Sequence, residues 1–190
     1  MRKARLEAFS DGVIAIIITI MVLELHTPSG TDLASLRPLV PALLSYVLSF
    51  VYVGIYWNNH HHLLHAAREV TGLVLWSNLH LLFWLSLFPF ATAWMGASNG
   101  APLPIALYGV VLLMAGAAYQ LLELALVAHH GRDSALAQAL GRSGKEFLSV
   151  GAYAVAIALA FVAPRVSQAI DAAVALLWVV PDPRFVRAGH

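Results

Sequence analysis

The chain contains no cysteine and few charged residues. The absence of cysteine excludes disulfide bonds, thiol catalysis and cysteine-ligated metals. Charged residues make up only 11% of the sequence, whereas soluble proteins contain about 25%. The 11 basic residues against 10 acidic ones give no basic excess that would indicate a nucleic-acid partner. Long polar segments are also missing, so we expect neither a large catalytic domain nor an enzyme.

Apolar residues make up 60% of the 190 positions, and the mean hydropathy is +0.77. A soluble fold would expose too much of this apolar surface, so the composition indicates a membrane protein. A spanning helix needs about 20 apolar residues, and the apolar runs predict an all-α, single-domain protein over residues 1–190 with six transmembrane helices. Pro89 lies inside the third run and predicts a kink. The predicted helices cover approximately residues 8–25, 39–57, 72–95, 103–128, 146–163 and 167–180.

The distribution of lysine and arginine predicts the orientation, because cytoplasmic loops of membrane proteins are enriched in both. With the N-terminus inside, only Arg37 and Arg165 fall outside. This asymmetry requires an even number of spans, so both termini are predicted to be cytoplasmic. Arginine outnumbers lysine, which favours a bacterial source. With six predicted spans, we therefore expect a multi-pass protein of the bacterial inner membrane. The residues on the inner side are Arg2, Lys3, Arg5, Arg68, Arg132, Arg142, Lys145, Arg184 and Arg187.

The first apolar run follows a basic cluster, as in a signal peptide, but Asp11 inside the run favours a retained helix. On a helix with about 100° per residue, Ile16, Ile20 and Leu23 fall within a sector of roughly 60°. Thr19 borders this apolar stripe, and Asp11 projects to the opposite side. Such a stripe commonly faces lipid or a neighbouring helix, so by itself it predicts no function.

The first helix begins with a recognisable motif, Arg5-x-x-x-Phe9-Ser10-Asp11. It resembles the R-x-x-x-F-S-D signature of the transmembrane protein 175 family, which comprises endosomal and lysosomal potassium channels and their bacterial relatives. The resemblance continues at residues 56–61 (Tyr-Trp-Asn-Asn-His-His), 76–79 (Trp-Ser-Asn-Leu) and 89–92 (Pro-Phe-Ala-Thr). It covers essentially the whole chain, as one six-helix repeat where animal members carry two.

The resemblance implies a potassium-permeable, moderately selective cation channel, assembled as a homotetramer in the lipid bilayer, with the first helices lining the pore. By position after the signature, Ile16, Ile20 and Leu23 would form a hydrophobic constriction. Thr19 would match the threonine associated with potassium preference, and Glu24 would lie at the outer mouth, where carboxylates attract cations. The permeant ion would be K⁺, with no cofactor.

Ser10 and Asp11 are expected to hold helices together, because a carboxylate turned away from the pore needs hydrogen-bond donors. Candidate donors lie in the second and third helices, including the group His60–His62. The predicted signature and structural network consists of Arg5, Phe9, Ser10, Asp11, Trp57, Asn58, His61, Trp76, Asn78 and His80.

Other interpretations of the polar residues stay open. His61 and His65 have the i, i+4 spacing of a metal pair, although an interfacial cluster is the commoner arrangement, and we expect no metal.

A proton-coupled small-solute or ion transporter is the main alternative function, with relay candidates at Asp11, His80, Glu123 and Asp171. Asp171 would equally suit the first turn of the sixth helix. A haem protein is disfavoured because only His80 lies well inside a span.

Overall fold

The computed structural model of the protein describes residues 3–67, 69–130 and 144–179. Several basic residues that contribute to the predicted charge asymmetry lie outside these ranges, as does the predicted end of the sixth helix at residue 180. Those basic residues are Arg2, Arg68, Arg132, Arg142, Arg184 and Arg187.

Within the described residues the secondary structure is entirely helical, which confirms the predicted all-α class. Four segments are long and apolar enough to cross a membrane: Lys3–Leu23, Leu33–His65, Gly72–Ala97 and Pro102–His129. The last two helices are shorter. The helices are α1 (Lys3–Leu23), a 3-10 helix (Leu33–Leu39), α2 (Val40–Ala66), α3 (Gly72–Ser86), α4 (Phe88–Ala97), α5 (Pro102–His130), α6 (Gly144–Ala160) and α7 (Pro164–Val179).

The kink predicted at Pro89 is a complete break between α3 and α4 at Leu87. Proline has no N–H group, so Pro89 could not bond the carbonyl of Leu85 in a continuous helix. Instead Pro89 occupies the first turn of α4, where a missing N–H does no harm. The backbone N–H of Leu87 closes the end of α3 on the carbonyl of Trp84, at 3.2 Å.

The position of Asp171 differs from the expectation. Because Pro164 starts α7, Asp171 lies about two turns inside the helix and not in its first turn. Its side chain is fully buried. The expectation was wrong because it placed the helix start at residue 167, whereas proline is well accommodated at the first helical position.

Side-chain contacts define the two ends of the helix bundle. At the N-terminal end, the Lys3 ammonium donates to the carbonyl of His65, at 2.8 Å, and the ring of His129 lies 3.2 Å from the carboxylate of Glu69. At the opposite end, residues from α2, the α4–α5 turn and α7 line one groove, among them Asn99 and Arg165. Successive membrane-length segments therefore run antiparallel.

Small residues bring two helix pairs into close contact. A Cβ atom added at Gly96 would lie 2.7 Å from the Cα of Ala42, so α4 and α2 touch through their backbones. A Cβ atom at Gly109 would lie 2.9 Å from Cγ1 of Ile157, which makes α5 and α6 close neighbours. Two further small residues of α6, Ala156 and Ala160, are fully buried.

Candidate pore helix and its supporting residues

The helix α1 has two different faces. One face packs against α2, α3 and α4 and is buried; its buried residues are Leu6, Ser10, Ile14, Ile17 and Met21. The other face carries the predicted constriction residues. Ile16, Ile20 and Leu23 are 58%, 41% and 80% exposed on the subunit. The apolar stripe therefore points away from the core of its own subunit.

Thr19 and Glu24 lie on the exposed surface beside this stripe. The Thr19 hydroxyl donates to the carbonyl of Ile16 in its own helix, at 2.8 Å. A hydroxyl has one donor and two acceptor lone pairs, so the Thr19 oxygen keeps acceptor capacity on the exposed side. Glu24 follows the last residue of α1, and its backbone N–H bonds the carbonyl of Ile20.

Behind the stripe, three buried polar side chains connect α1, α3 and α2. The Asn78 amide donates to the Ser10 hydroxyl, at 3.0 Å, and its oxygen lies 2.7 Å from Nε2 of His60. Because an amide oxygen only accepts, Nε2 of His60 carries the proton. Ser10 and Asn78 are fully buried, and His60 is nearly so. This Ser10–Asn78–His60 network holds α1 against its neighbours near the N-terminal end.

Asp11 takes part in a separate contact at the surface. The indole N–H of Trp57 donates to Oδ1 of Asp11, at 3.1 Å, and the Trp57 ring stacks on His61 with centroids 6.3 Å apart. Asp11, Trp57 and His61 are all exposed. Ser10 of the signature is therefore buried between helices, whereas its neighbour Asp11 lies at the surface of the subunit.

The structure places the remaining predicted network residues outside these contacts. Arg5, Phe9, Asn58 and Trp76 are exposed. The ring nitrogen of His80 accepts from the indole N–H of Trp84 within α3, at 2.9 Å, so His80 is not joined to the other predicted members.

Of the candidate histidines His60–His62, His60 is the partner of Asn78, whereas the predicted network member His61 stacks on Trp57 beside Asp11. The spacing of the buried residues along α2 could have identified His60. Tyr56 and Leu63 are also buried on α2, and His60 continues their face at spacings of four and three residues. The prediction stopped the second helix at residue 57, so this face was not extended to His60.

The geometry gives little support to the metal and transporter interpretations. His61 stacks on His65 at 6.2 Å between centroids, but the described part of the chain has no cluster of three or more His, Asp or Glu side chains placed for a metal. The relay candidates Asp11, His80, Glu123 and Asp171 are not joined either, since within residues 3–67, 69–130 and 144–179 no hydrogen bond links any two of them.

Comparisons with known proteins identify this architecture. The family model described as endosomal/lysosomal potassium channel TMEM175 matches residues 5–89. A protein from Chryseobacterium sp. (strain P1-3) named as a potassium channel is 50% identical over 188 residues, covering 99% of this chain and 98% of the relative. The human endosomal/lysosomal proton channel TMEM175 is 36% identical over 96 residues, which are 44% of this chain and 19% of the human protein.

A solved structure shows the same fold over the whole chain. The crystal structure of a lysosomal potassium-selective channel TMEM175 homolog from Chamaesiphon minutus superposes with a TM-score of 0.78 at 26% identity, covering 99% of this chain and 98% of the other. The all-helical fold with membrane-length helices thus defines a multi-pass protein of the cell membrane, in a class of ion channels and not of enzymes. The chain belongs to the TMEM175 family.

Proposed function

We propose that the chain is a potassium-permeable, moderately selective cation channel in which four copies of α1 surround a hydrophobic constriction. The observation that carries the proposal is the exposure of Ile16, Ile20 and Leu23 on a helix whose other face is buried in its own subunit. Relatives named as potassium channels support K⁺ as the permeant ion.

The chemistry of the stripe predicts how such a pore would gate. Isoleucine and leucine side chains offer no ligands to an ion, so a narrow ring of them empties of water and blocks current. Opening requires the ring to widen and fill with water, after which a partly hydrated K⁺ ion passes. Because K⁺ loses water more readily than Na⁺, selectivity arises at the constriction and is moderate.

The proposed subunit crosses the membrane six times, with α3 and α4 together forming one crossing. Helices α6 and α7 have 17 and 16 residues, which correspond to roughly 25 Å at 1.5 Å per residue. This approaches the hydrocarbon thickness of about 30 Å. Six crossings leave both termini on one side, which agrees with the distribution of lysine and arginine along the sequence.

Ion flux tests the function directly. The channel is reconstituted in liposomes, and K⁺ flux is compared with proton flux without ATP or an imposed proton gradient. Ile20→Asn introduces a polar group into the constriction and should raise K⁺ flux at least about tenfold, which corresponds to a barrier lowered by about 1.4 kcal/mol. Background K⁺ flux together with proton-coupled solute uptake would support the transporter instead.

Val22→Asn is the matched control. Val22 is 45% exposed, close to the 41% of Ile20, and lies on the same helix but about 160° away from Ile20 around the axis. If the whole exposed surface of α1 faces lipid, both variants change the flux equally. A pore at the stripe predicts a change only for Ile20→Asn.

The absence of cysteine provides a test of the assembly. Ile20→Cys places one thiol per subunit, and oxidation should link subunits into dimers because the Ile20 side chains converge on the symmetry axis. Val22→Cys should remain monomeric on a denaturing gel. Mass measurement in mild detergent then gives the number of copies, expected to be four. Equal cross-linking of both variants would exclude the proposed arrangement.

A further inference from the structure

Asp171 is a buried carboxyl group that the proposed pore does not use. It lies on α7, its side chain is fully buried, and neither carboxylate oxygen has a hydrogen-bond partner among the described residues. An ionised carboxylate without a donor is strongly disfavoured away from water. The carboxyl group must therefore bind either a proton or a cation that neutralises its negative charge.

The groups that face Asp171 offer no positive charge. Helix α7 packs against α6, α2 and α5. The titratable side chains on these helices that interact with Asp171 are all tyrosines: Tyr52 from α2, Tyr108 from α5 and Tyr153 from α6. No Lys, Arg or His among the described residues contributes an interaction to the carboxyl group.

A small, mainly apolar cavity lies between α2, α5, α6 and α7. Its volume is about 60 Å³. Glu123 lines the cavity, together with Tyr52 and Tyr153. Asp171 itself does not line it, so this space offers the carboxyl group no room for a hydrated alkali ion.

Two tyrosines connect this cavity to the Asp171 position. The Tyr153 hydroxyl donates to the Tyr52 hydroxyl, at 3.2 Å, and the Tyr52 hydroxyl donates to the backbone carbonyl of Asp171, at 2.6 Å. The two hydrogen bonds therefore hold the backbone of α7 at Asp171 and do not reach the carboxyl group, whose oxygens have no partner among the described residues.

We propose that Asp171 is an intrasubunit proton-binding site, separate from the α1 stripe. A proton from a hydronium ion binds the carboxylate, which leaves a neutral carboxylic acid and a water molecule. The neutral acid is the form that fits the buried position. Loss of the proton leaves a buried charge without a partner and weakens the packing of α7 on α2.

Infrared spectroscopy of the full-length channel in liposomes tests this assignment. A protonated carboxylic acid has a carbonyl stretch that a carboxylate lacks, and ¹³C labelling of aspartate carboxyl groups separates it from glutamate. We expect a protonated aspartate signal at neutral pH that is unchanged when choline replaces K⁺. It should vanish in Asp171→Asn and persist in Asp32→Asn, a control at an exposed position.

Two results would overturn the proposal: identical spectra for the wild type and Asp171→Asn, or a protonated signal that appears only after K⁺ is removed, which would indicate an alkali-ion site. Tyr153→Phe keeps the acid and removes only the hydrogen bond to Tyr52, so it should retain the signal, and its loss in this variant would contradict the proposal. Asp171→Glu serves if Asp171→Asn does not fold, because the labelled aspartate signal should vanish in it as well.

Thermal unfolding at several pH values gives an independent measurement. Because the bound proton stabilises the native packing, the wild type should lose stability as the pH rises, and Asp171→Asn should lose less over the same range. Parallel curves for the two proteins would contradict the proposal. Neither measurement uses ion current, so failure here is distinguishable from failure of the proposed pore.

Discussion

The indole N–H of Trp57 on α2 donates to the carboxylate of Asp11 on α1, with 3.1 Å between Nε1 and Oδ1. Asp11 is exposed on the subunit, but on a different side of α1 from Ile16 and Ile20. The contact joins α1 to α2 at the subunit surface, so we expect Asp11 to position α1 on α2.

Substitution of Asp11 should affect assembly more than ion preference. Asp11→Asn keeps an oxygen that accepts from Trp57 and should remain tetrameric with an unchanged K⁺/Na⁺ reversal potential. Asp11→Leu removes the acceptor and should lower the tetramer fraction in native mass spectrometry by about half or more, since a hydrogen bond is worth about 1 kcal/mol. A stable Asp11→Leu tetramer with a shifted reversal potential would assign Asp11 to the ion path.

Loss of the Asn78 side chain should be costly. Asn78→Leu leaves the buried Ser10 hydroxyl and the His60 imidazole without their shared partner, and each unsatisfied group costs about 1–3 kcal/mol. We expect the free energy of unfolding in detergent to fall by about 2–6 kcal/mol. Asn58→Leu, at an exposed asparagine on α2, should change it little. Equal losses would show that the network is not the cause.

Thr19 should influence selectivity through its free lone pairs. The hydroxyl donates to Ile16, so its oxygen can contact a partly dehydrated cation. Thr19→Val is nearly isosteric and should lower the K⁺/Na⁺ permeability ratio severalfold, whereas Thr19→Ser should retain it. Reversal potentials in mixed K⁺ and Na⁺ solutions measure this ratio. Equal ratios for the valine and serine variants would exclude a role for the hydroxyl.

The contact at Gly96 should tolerate no side chain. Gly96→Ala pushes a methyl group against the backbone of Ala42, and overpacking of this kind costs about 1–3 kcal/mol. The melting temperature should fall accordingly. Gly54→Ala is the control, because a Cβ atom there meets nothing within 4 Å, and it should be neutral or stabilising. A stable Gly96→Ala protein would show that α2 and α4 can separate.

The sequence predicted the all-helical class, because long apolar runs interrupted by prolines are typical of membrane helices. It predicted only a kink at Pro89, where the structure has an interruption of the helix at Leu87. The boundaries were less accurate where polar residues continue a helix. Helix α2 continues to Ala66, past the predicted end at residue 57, because polarity alone cannot distinguish a loop from the end of a helix beyond the apolar region.

The candidate site was predictable only in part. Helical geometry grouped Ile16, Ile20 and Leu23 on one face, and the structure leaves all three exposed. The partner of Asn78 was left open among His60–His62, because the predicted second helix ended at residue 57 and its buried face was not extended to His60. Asp171 was named as a relay candidate, but its burial was not predictable, since it depends on three other helices packing around α7.

The break at Leu87 has a consequence for how α1 is held. Asn78 on α3 binds Ser10 near the beginning of α1, whereas Thr92 on α4 contacts Met21 near its end, at 4.0 Å between Oγ1 and Sδ. The two ends of α1 are thus attached to different helices, α3 and α4. In the proposed pore, a movement of α4 relative to α3 would act on the Met21 end of α1 and not directly on the Ser10 end.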